Sequence, residues 1–397
     1  MSNIRIKNLN DQNLDELTAL CPFNAIEKDA QSGLAINAGC RMCRICLKRK
    51  PDIFYLAEAA PAPRINKQEW QGLAVYIEQQ NGCIHPVSLE LIGKAREMAA
   101  KTGQQVFCLL ACEKSAGLPE QILEYGVDKV FVYERPELRH FRIEPFAAVF
   151  ADFINRVKPS GVLVGGTSIG RSLAPRVAAR FKTGLTADCT ILDINASTDI
   201  DQIRPAYGGN IMAHIQTPNH RPQFATVRYK IFNAPQKTEP WGTVEFCQID
   251  AAALKSAIEV LEIRPKEKVR SVEDAEVIVV AGKGIKKEGD LKMIYELSDA
   301  LGAMTAGTRP LIEQGWFDPR LQIGLSGRTV KPALIITCGV SGSVQFAAGM
   351  QGAEHIIAIN NDPDAAIFNL AHYAIVGDLY QVVPSLLEKI RKGGALV

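Results

Sequence analysis

Leu334-Ile335-Ile336-Thr337-Cys338-Gly339-Val340-Ser341-Gly342-Ser343-Val344-Gln345-Phe346-Ala347-Ala348-Gly349-Met350 decides how the C-terminal part of the chain folds. Leu334–Thr337 is an apolar run of strand type, Gly339–Ser343 is a turn rich in glycine and serine, and Val344–Met350 reads as a helix. Two more apolar strands follow. Ile356–Ile359 runs into Asn360-Asn361-Asp362-Pro363, and Tyr373–Val376 ends at Gly377-Asp378-Leu379. Strands alternating with helices argue for a parallel α/β sheet, in which a ligand lies outside the carboxyl ends of the strands. All three polar turns occupy such ends. Gly339 and Gly342 permit close approach of backbone, Ser341 and Ser343 add hydroxyl donors, and free N–H groups at a helix start can hold a phosphate. A tight strand-to-helix connection without a ligand would read the same way.

The alternation extends upstream. Glu276–Val280 is a strand followed by Ala281-Gly282-Lys283-Gly284-Ile285. Earlier still, Gly72–Ile77, Val106–Leu110, Lys129–Tyr133 and Gly161–Gly165 read as strands, and Ser88–Thr102 and Phe146–Val157 as helices. The turn Gly165-Gly166-Thr167-Ser168-Ile169-Gly170-Arg171 could cradle a phosphate too, but the preferred reading is a turn that opens a helix at Ser172–Phe181. His214, His220 and Cys189 show no ligand spacing and read as structural. So do the scattered Cys83, Cys108, Cys112, Cys247 and Cys338.

Length and composition set outer bounds. A chain of 397 residues is long for one domain. A net charge of +2 argues against a nucleic-acid binder, and 47% hydrophobic with 22% charged residues is ordinary for a globular protein with full cores. No apolar run reaches the ~18 residues that span a membrane, and Met1-Ser2-Asn3-Ile4-Arg5 lacks an apolar signal core, so a cytoplasmic location is expected. In that reducing compartment the ten cysteines are not expected to form disulfides.

Four of those cysteines crowd the N-terminal segment. Cys40, Cys43 and Cys46 form C-x2-C-x2-C, a spacing that lets one loop wrap three irons of a cubane cluster, and Cys21 stands apart in Cys21-Pro22. In two-cluster bacterial ferredoxins each C-x2-C-x2-C-x3-C-P run sends its last cysteine to the other cluster. Cys21-Pro22 matches the end of a first run and Cys40–Cys46 the start of a second. The second run would close on Cys-Pro but reads Lys50-Pro51. The module therefore resembles a ferredoxin that keeps one [4Fe–4S] cluster. A four-cysteine zinc site is the rival, although zinc sites usually pair one C-x2-C with another. Arg41, Arg44, Lys48, Arg49 and Lys50 form either a solvated rim or a docking patch for an acidic redox partner.

From Gly72 onward the chain resembles the electron transfer flavoprotein alpha subunits. The likeness rests on Leu334–Gln345 with Ala358-Ile359-Asn360, on Arg171-Ser172-Leu173-Ala174-Pro175-Arg176-Val177-Ala178-Ala179-Arg180, on Thr183-Gly184-Leu185-Thr186-Ala187-Asp188-Cys189 and on Arg204-Pro205-Ala206-Tyr207-Gly208-Gly209-Asn210-Ile211-Met212-Ala213. The resemblance implies one FAD in a Rossmann-like C-terminal domain and none in the parallel-sheet domain before it. Expected domains are residues 1–62 (ferredoxin-like), a linker at 63–69 continuing the Pro/Ala-rich stretch 58–64, 70–265 (first α/β domain) and 270–397 (FAD domain).

The implied FAD contacts are named residue by residue. Gly339, Val340, Ser341, Gly342, Ser343 and Val344 would hold the pyrophosphate side, Gln345 would also touch the cofactor, and Asn360, Asp378 and Leu379 would hold the adenosine side. Lys283 stands where many members have Arg, keeping charge but losing the bidentate fork. Thr308-Arg309 matches a Ser/Thr-Arg pair beside the flavin, where a fixed guanidinium stabilises the negative charge of reduction and raises the potential. Ile323, Gly324, Leu325 and Ser326 match a Val-Gly-Gln-Thr loop. Leu325 lacks the amide found there, and Phe346 replaces a usual His, so the flavin potential is expected to differ.

The resemblance further implies a beta-subunit partner with a second flavin that binds NADH, and a dehydrogenase that exchanges single electrons with this FAD. The fused cluster fits flavin-based electron bifurcation with soluble ferredoxin, as in fused systems serving an enoyl-CoA reductase of the acyl-CoA dehydrogenase type, caffeyl-CoA reductase for example, or a lactate dehydrogenase. Two alternatives stand beside it. One is an ordinary carrier for an acyl-CoA dehydrogenase, with a structural cluster. The other is a non-redox adenine-nucleotide-binding protein.

Overall fold

A computed structural model describes residues 4–7, 9, 13–29, 32–37, 39–57, 65–207, 211–264 and 271–392. The expected linker stretch 58–64, the 208–210 part of the family-like motif and the junction at 265–270 lie outside the described residues. The chain divides into two compact units, Met1–Ile65 and Asn66–Val397.

The first unit pairs β1 (Ile4–Ile6) antiparallel with β4 (Phe54–Leu56), and β2 (Ile26–Asp29) antiparallel with β3 (Gly33–Ile36). Two short helices, α1 (Leu14–Thr18) and α2 (Ile45–Arg49), complete it. Its core is small: Ile4, Leu17, Ile26, Leu34, Ile53, Phe54 and the Cys46 thiol, with Cys21 and Cys40 packed against them.

The second unit begins with β5 (Leu73–Ile77), a tight hairpin of β6 (Gln79–Gln80) and β7 (Cys83–Ile84), α3 (Pro86–Thr102), β8 (Val106–Cys112), α4 (Leu118–Leu123), β9 (Lys129–Glu134), α5 (Ile143–Val157), β10 (Gly161–Gly165) and α6 (Ser168–Arg180). Then come β11 (Leu185–Cys189), β12 (Ile191–Ile194), β13 (Ile200–Ala206), β14 (Ile211–Ile215), β15 (Gln223–Val227) and β16 (Thr243–Phe246). Seven strands form a parallel sheet in the order β11-β15-β10-β5-β8-β9-β16. β5, β10 and β15 are buried along their whole length, because helices cover both faces of such a sheet. α3 shows why a helix forms here. His85 Nδ1 accepts the Val87 N–H, Pro86 presets the first turn, Gly103 closes the end at φ +67°, and Val87, Leu91, Ala95 and Met98 line one buried stripe. The strand–helix alternation did not announce the antiparallel sheet β12-β13-β14, whose strands sit between helical signals rather than repeating them.

The C-terminal half holds β17 (Val277–Ala281), α7 (Leu291–Leu301), β18 (Met304–Gly307), α8 (Arg309–Glu313), β19 (Leu334–Cys338), α9 (Val344–Ala347), β20 (His355–Asn360), β21 (Tyr373–Val376) and α10 (Leu379–Arg391). Its five parallel strands run β18-β17-β19-β20-β21. Numbered within this half, that order is 2-1-3-4-5, the flavodoxin-like winding, not the Rossmann 3-2-1-4-5-6. Both are doubly wound, and spacing along the chain does not distinguish them. Both large halves keep their own cores. Buried clusters of the first draw on residues 70–254 and those of the second on 272–390.

Glu90 on α3 is buried, its two oxygens accepting the Lys230 N–H at 3.1 and 3.0 Å. Burial pushes its carboxyl up to about 7, against the lowering pull of the Lys230 N–H and ammonium. Between the ordinary carboxylate range and pH 7 the folded chain thus keeps a proton that the unfolded chain has released. Stability is therefore expected to fall as pH rises through that window. Denaturation midpoints measured from pH 4.5 to 7.5 should show this slope, and Glu90→Gln should flatten it.

Candidate functional site

Strand order in the C-terminal half reverses between β17 and β19, and a cleft opens at their carboxyl ends. Turns from the two strands meet backbone to backbone. Gly282 N–H donates to Cys338 O and Gly284 N–H to Gly339 O, each at 2.9 Å. Gly339 sits at φ +66°, and a Cβ there would lie 2.8 Å from both Gly284 Cα and Leu379 Cδ2. Gly342, at φ +84°, faces the Ile367 backbone, where a Cβ would meet the amide nitrogen at 2.2 Å. These turns exist because no side chain intrudes.

The cleft encloses about 980 Å³, at the upper end of the ~300–1,000 Å³ of ligand pockets. Lining it are Lys283 after β17, Thr308 and Arg309 at α8, residues 323–326, Gly339, Val340, Ser341, Ser343 and Gln345, and Asn360, Asp378 and Leu379. Gly342 and Val344 stand outside the lining, the first turned to Ile367 and the second on a separate small groove with Met212 and Lys230.

Polar groups around the cleft differ in what they have free. Thr308 Oγ1 is buried without a hydrogen-bond partner, an orphan that a ligand would satisfy. Ser326 Oγ accepts from Gln322 Nε2 at 2.7 Å and keeps its own proton to donate. Arg309 Nε pairs with Glu313 at 2.7 Å while exposed. The Asn360 side chain is committed to the turn, donating to Val340 O at 2.8 Å and accepting from Asp362 N at 3.0 Å. Asp378 caps α10 and Ser343 caps α9. Leu325 and Phe346 line the cleft with no side-chain donor.

Sequence reasoning missed Gln322, Glu313, Lys286 and Tyr380 in the lining. Each lies within a few residues of an expected contact. Tyr380 OH accepts the Lys286 N–H at 2.8 Å, a pairing visible only once β17 and α10 are adjacent.

The glycine turn after β10 has a different end. Thr167 Oγ1 accepts the Gly170 N–H, capping α6, and donates to Glu78 Oε2 at 2.5 Å. Glu78 is buried at the end of β5, and desolvation raises its carboxyl. The turn does open a helix, but at Ser168 rather than the expected Ser172, because the Thr167 hydroxyl caps it there. His214 pairs with Asp201 at 2.8 Å, and Cys189 is buried in the core.

In the first unit Cys21, Cys40, Cys43 and Cys46 line one small cavity together with Ile4, Ile26 and Phe23. Cys21 Sγ accepts the Ala25 N–H at 3.3 Å. Among the described residues, no three His, Cys, Asp or Glu side chains converge on the position of one metal ion. Of the basic residues beside the cysteines, Lys50 pairs with Glu16 at 3.0 Å, and the Arg41 guanidinium lies 4.9 Å over the Phe23 ring.

Residues 73–257 match the family model described as electron transfer flavoprotein domain, and residues 271–351 the electron transfer flavoprotein FAD-binding domain. The chain is 39% identical over 334 residues to the electron transfer flavoprotein subunit alpha of Clostridium acetobutylicum, covering 82% of this chain and 99% of that one. It belongs to the electron transfer flavoprotein alpha-subunit family. To the lactate dehydrogenase (NAD(+),ferredoxin) subunit LctC of Acetobacterium woodii it is 55% identical over 393 residues, 98% of this chain and 94% of that protein. To the acryloyl-CoA reductase electron transfer subunit beta of Anaerotignum propionicum it is 34% identical, covering 80% and 95%. Among the described residues no helix is long and apolar enough to cross a membrane.

The family's FAD fits this cleft in volume, in its glycine floor and in the orphaned Thr308 hydroxyl. Thr308→Ala is expected to weaken FAD binding roughly three- to tenfold, the worth of one hydrogen bond. The apoprotein should not lose stability, because no partner is abandoned. Fluorescence titration of apoprotein with FAD, beside a thermal melt of the apoprotein, checks both.

Proposed function

We propose that this chain is the alpha subunit of a bifurcating complex, holding one FAD in the C-terminal cleft and one [4Fe–4S] cluster on Cys21, Cys40, Cys43 and Cys46. Bound in the cleft, FAD supplies a one-electron carrier between the NADH-reduced flavin of a beta subunit and a dehydrogenase. The observation that carries this reading is the extent of the likeness. The C. acetobutylicum alignment consumes nearly all of that subunit yet leaves part of this chain over, and both domain matches begin at or after residue 73. The alignment with LctC, a subunit named for lactate, NAD(+) and ferredoxin, spans 98% of the chain and so runs through the cysteine-bearing unit. Lactate dehydrogenase is therefore the partner put forward, ahead of an enoyl-CoA reductase.

The chain's own residues have definite tasks in this scheme. Thr308 and Ser326 offer hydroxyl protons to the flavin ring, and Arg309 supplies positive charge toward which reduction is favoured. Lys283 and the Gly339 turn receive the pyrophosphate. With Leu325 and Phe346 contributing no donor, the ring is held by fewer polar contacts than the family usually provides. The small first unit has few buried side chains, and a cluster on its cysteines would add the kind of staple that helps cores of this size. Cys21, set apart in sequence, would bring a second segment of the chain to the cluster. Lys48 and Arg49 border it and suit an acidic ferredoxin.

The test is anaerobic. The chain is co-expressed with its beta subunit and lactate dehydrogenase, and ferredoxin reduction by NADH is followed with and without pyruvate. Reduction only when pyruvate is present is expected. Pyruvate turnover without ferredoxin reduction would leave an ordinary carrier with a structural cluster. Cys43→Ser should lose iron and ferredoxin reduction while retaining FAD, read by iron analysis and the flavin spectrum. Lys48→Gln with Arg49→Gln should flatten the salt dependence of ferredoxin reduction.

A further inference from the structure

The two α/β halves have separate hydrophobic cores, and polar contacts from one strip, residues 228–233 just after β15, join them. Tyr229 OH lies 3.4 Å from Asp274 Oδ1, and Lys331 donates to Asn233 Oδ1. Arg228 makes the contact nearest the cleft. Its Nη1 donates to the Leu325 carbonyl at 2.7 Å, and its Nη2 to Asp188 Oδ2 at 2.8 Å. Asp188 in turn holds Arg171 at 3.0 Å. It lies at a register slip in β11, at φ +56°, an uncommon backbone for a residue other than glycine. The first half thus presents a guanidinium fixed from behind to a loop that lines the cleft of the second.

The geometry at Leu325 gives that contact a consequence. In a planar trans peptide the carbonyl and the following N–H point in opposite directions. With Leu325 O aimed at Arg228, the Ser326 N–H on the same peptide points away from the first half. Leu325 and Ser326 both line the cleft. A charged donor on a carbonyl polarises its peptide and strengthens the N–H at the other edge. The Leu325 N–H is held by Gln345 O at 2.8 Å, so Leu325 is fixed at both its amide and its carbonyl.

We infer that Arg228 of the first half is a positioning residue for the flavin site of the second, aligning and polarising the Leu325–Ser326 peptide. The inference rests on the FAD reading above. It adds that the flavin's redox behaviour depends on how the two halves are docked, because the contact breaks when they part. Undocking then removes positive influence from the flavin ring, and reduction becomes less favourable.

The experiment uses the FAD-loaded complex with the beta subunit, comparing Arg228→Gln, Arg228→Lys and, as a control, Tyr229→Phe. The potential of this FAD is read against a reference dye, together with its visible spectrum. Arg228→Gln is expected to shift the equilibrium toward oxidised FAD by roughly tenfold, as for one charge-assisted contact. Arg228→Lys should recover part of the shift, and Tyr229→Phe, which removes another contact between the same halves, should change neither readout. An unchanged potential and spectrum in Arg228→Gln, or an equal change in Tyr229→Phe, overturns the inference. Should Arg228→Gln fail to fold, Asp188→Asn loosens the guanidinium from behind and carries the same test, an unchanged potential again being fatal. A purified complex in which this chain takes up no FAD overturns the functional reading itself, whereas bound FAD indifferent to Arg228 overturns this inference alone.

Discussion

The C-terminal half depends on how closely two turns can approach. Gly339, after β19, rests on the backbone of Gly284, after β17, with Leu379 against its other side. Strand-order reversal creates a gap between neighbouring turns in any doubly wound sheet. Here glycine lets the floor of that gap be backbone alone. Two serines line the cleft with it, and Arg309, Phe346 and Tyr380 are among its bulkier lining residues. Any side chain at Gly339 would lift the floor and part the turns.

The same economy does not hold between the halves. Among the described residues no hydrophobic cluster crosses from one to the other, and the bridging hydrogen bonds come from single side chains. Interfaces of that kind are compatible with relative movement, because few of their contacts are deeply desolvated. The buried Glu90 belongs to this region, holding the backbone of the strip that carries Arg228. Protons and docking geometry therefore act on one short segment.

Much of this was legible in the sequence, for identifiable reasons. Strands β17, β19, β20 and β21 are continuous apolar runs closed by polar turns, so their positions and the residues at their carboxyl ends followed from pattern. Strand order did not follow, because the chain's spacing is the same for the flavodoxin-like and Rossmann windings. The antiparallel strands β12, β13 and β14 were hidden in a stretch with a mixed pattern. Asn360 shows a subtler limit. It lines the cleft where expected, yet its amide is committed to Val340 and Asp362, which only the folded turn reveals. Arg228 and Gln322 were invisible for a further reason. Their roles come from contacts with Leu325 and Ser326 that only the fold makes, although Gln322 directly precedes the expected contact Ile323. The cysteines went the other way. Spacing and the likeness to a ferredoxin grouped them; all four border one small cavity, yet among the described residues no three potential ligands converge on one metal position.

Glu78 carries a consequence for the larger sheet. The seven-stranded sheet has its own reversal point between β5 and β10, with a glycine turn and a helix start as good as those of the smaller sheet. Its helix start is already occupied by an internal acid, bonded to the capping threonine and shielded from water. An incoming anion would find the capping hydroxyl already engaged, by the Glu78 carboxyl and the Gly170 N–H. Of two architecturally similar helix starts in the chain, one is closed by the chain's own carboxyl.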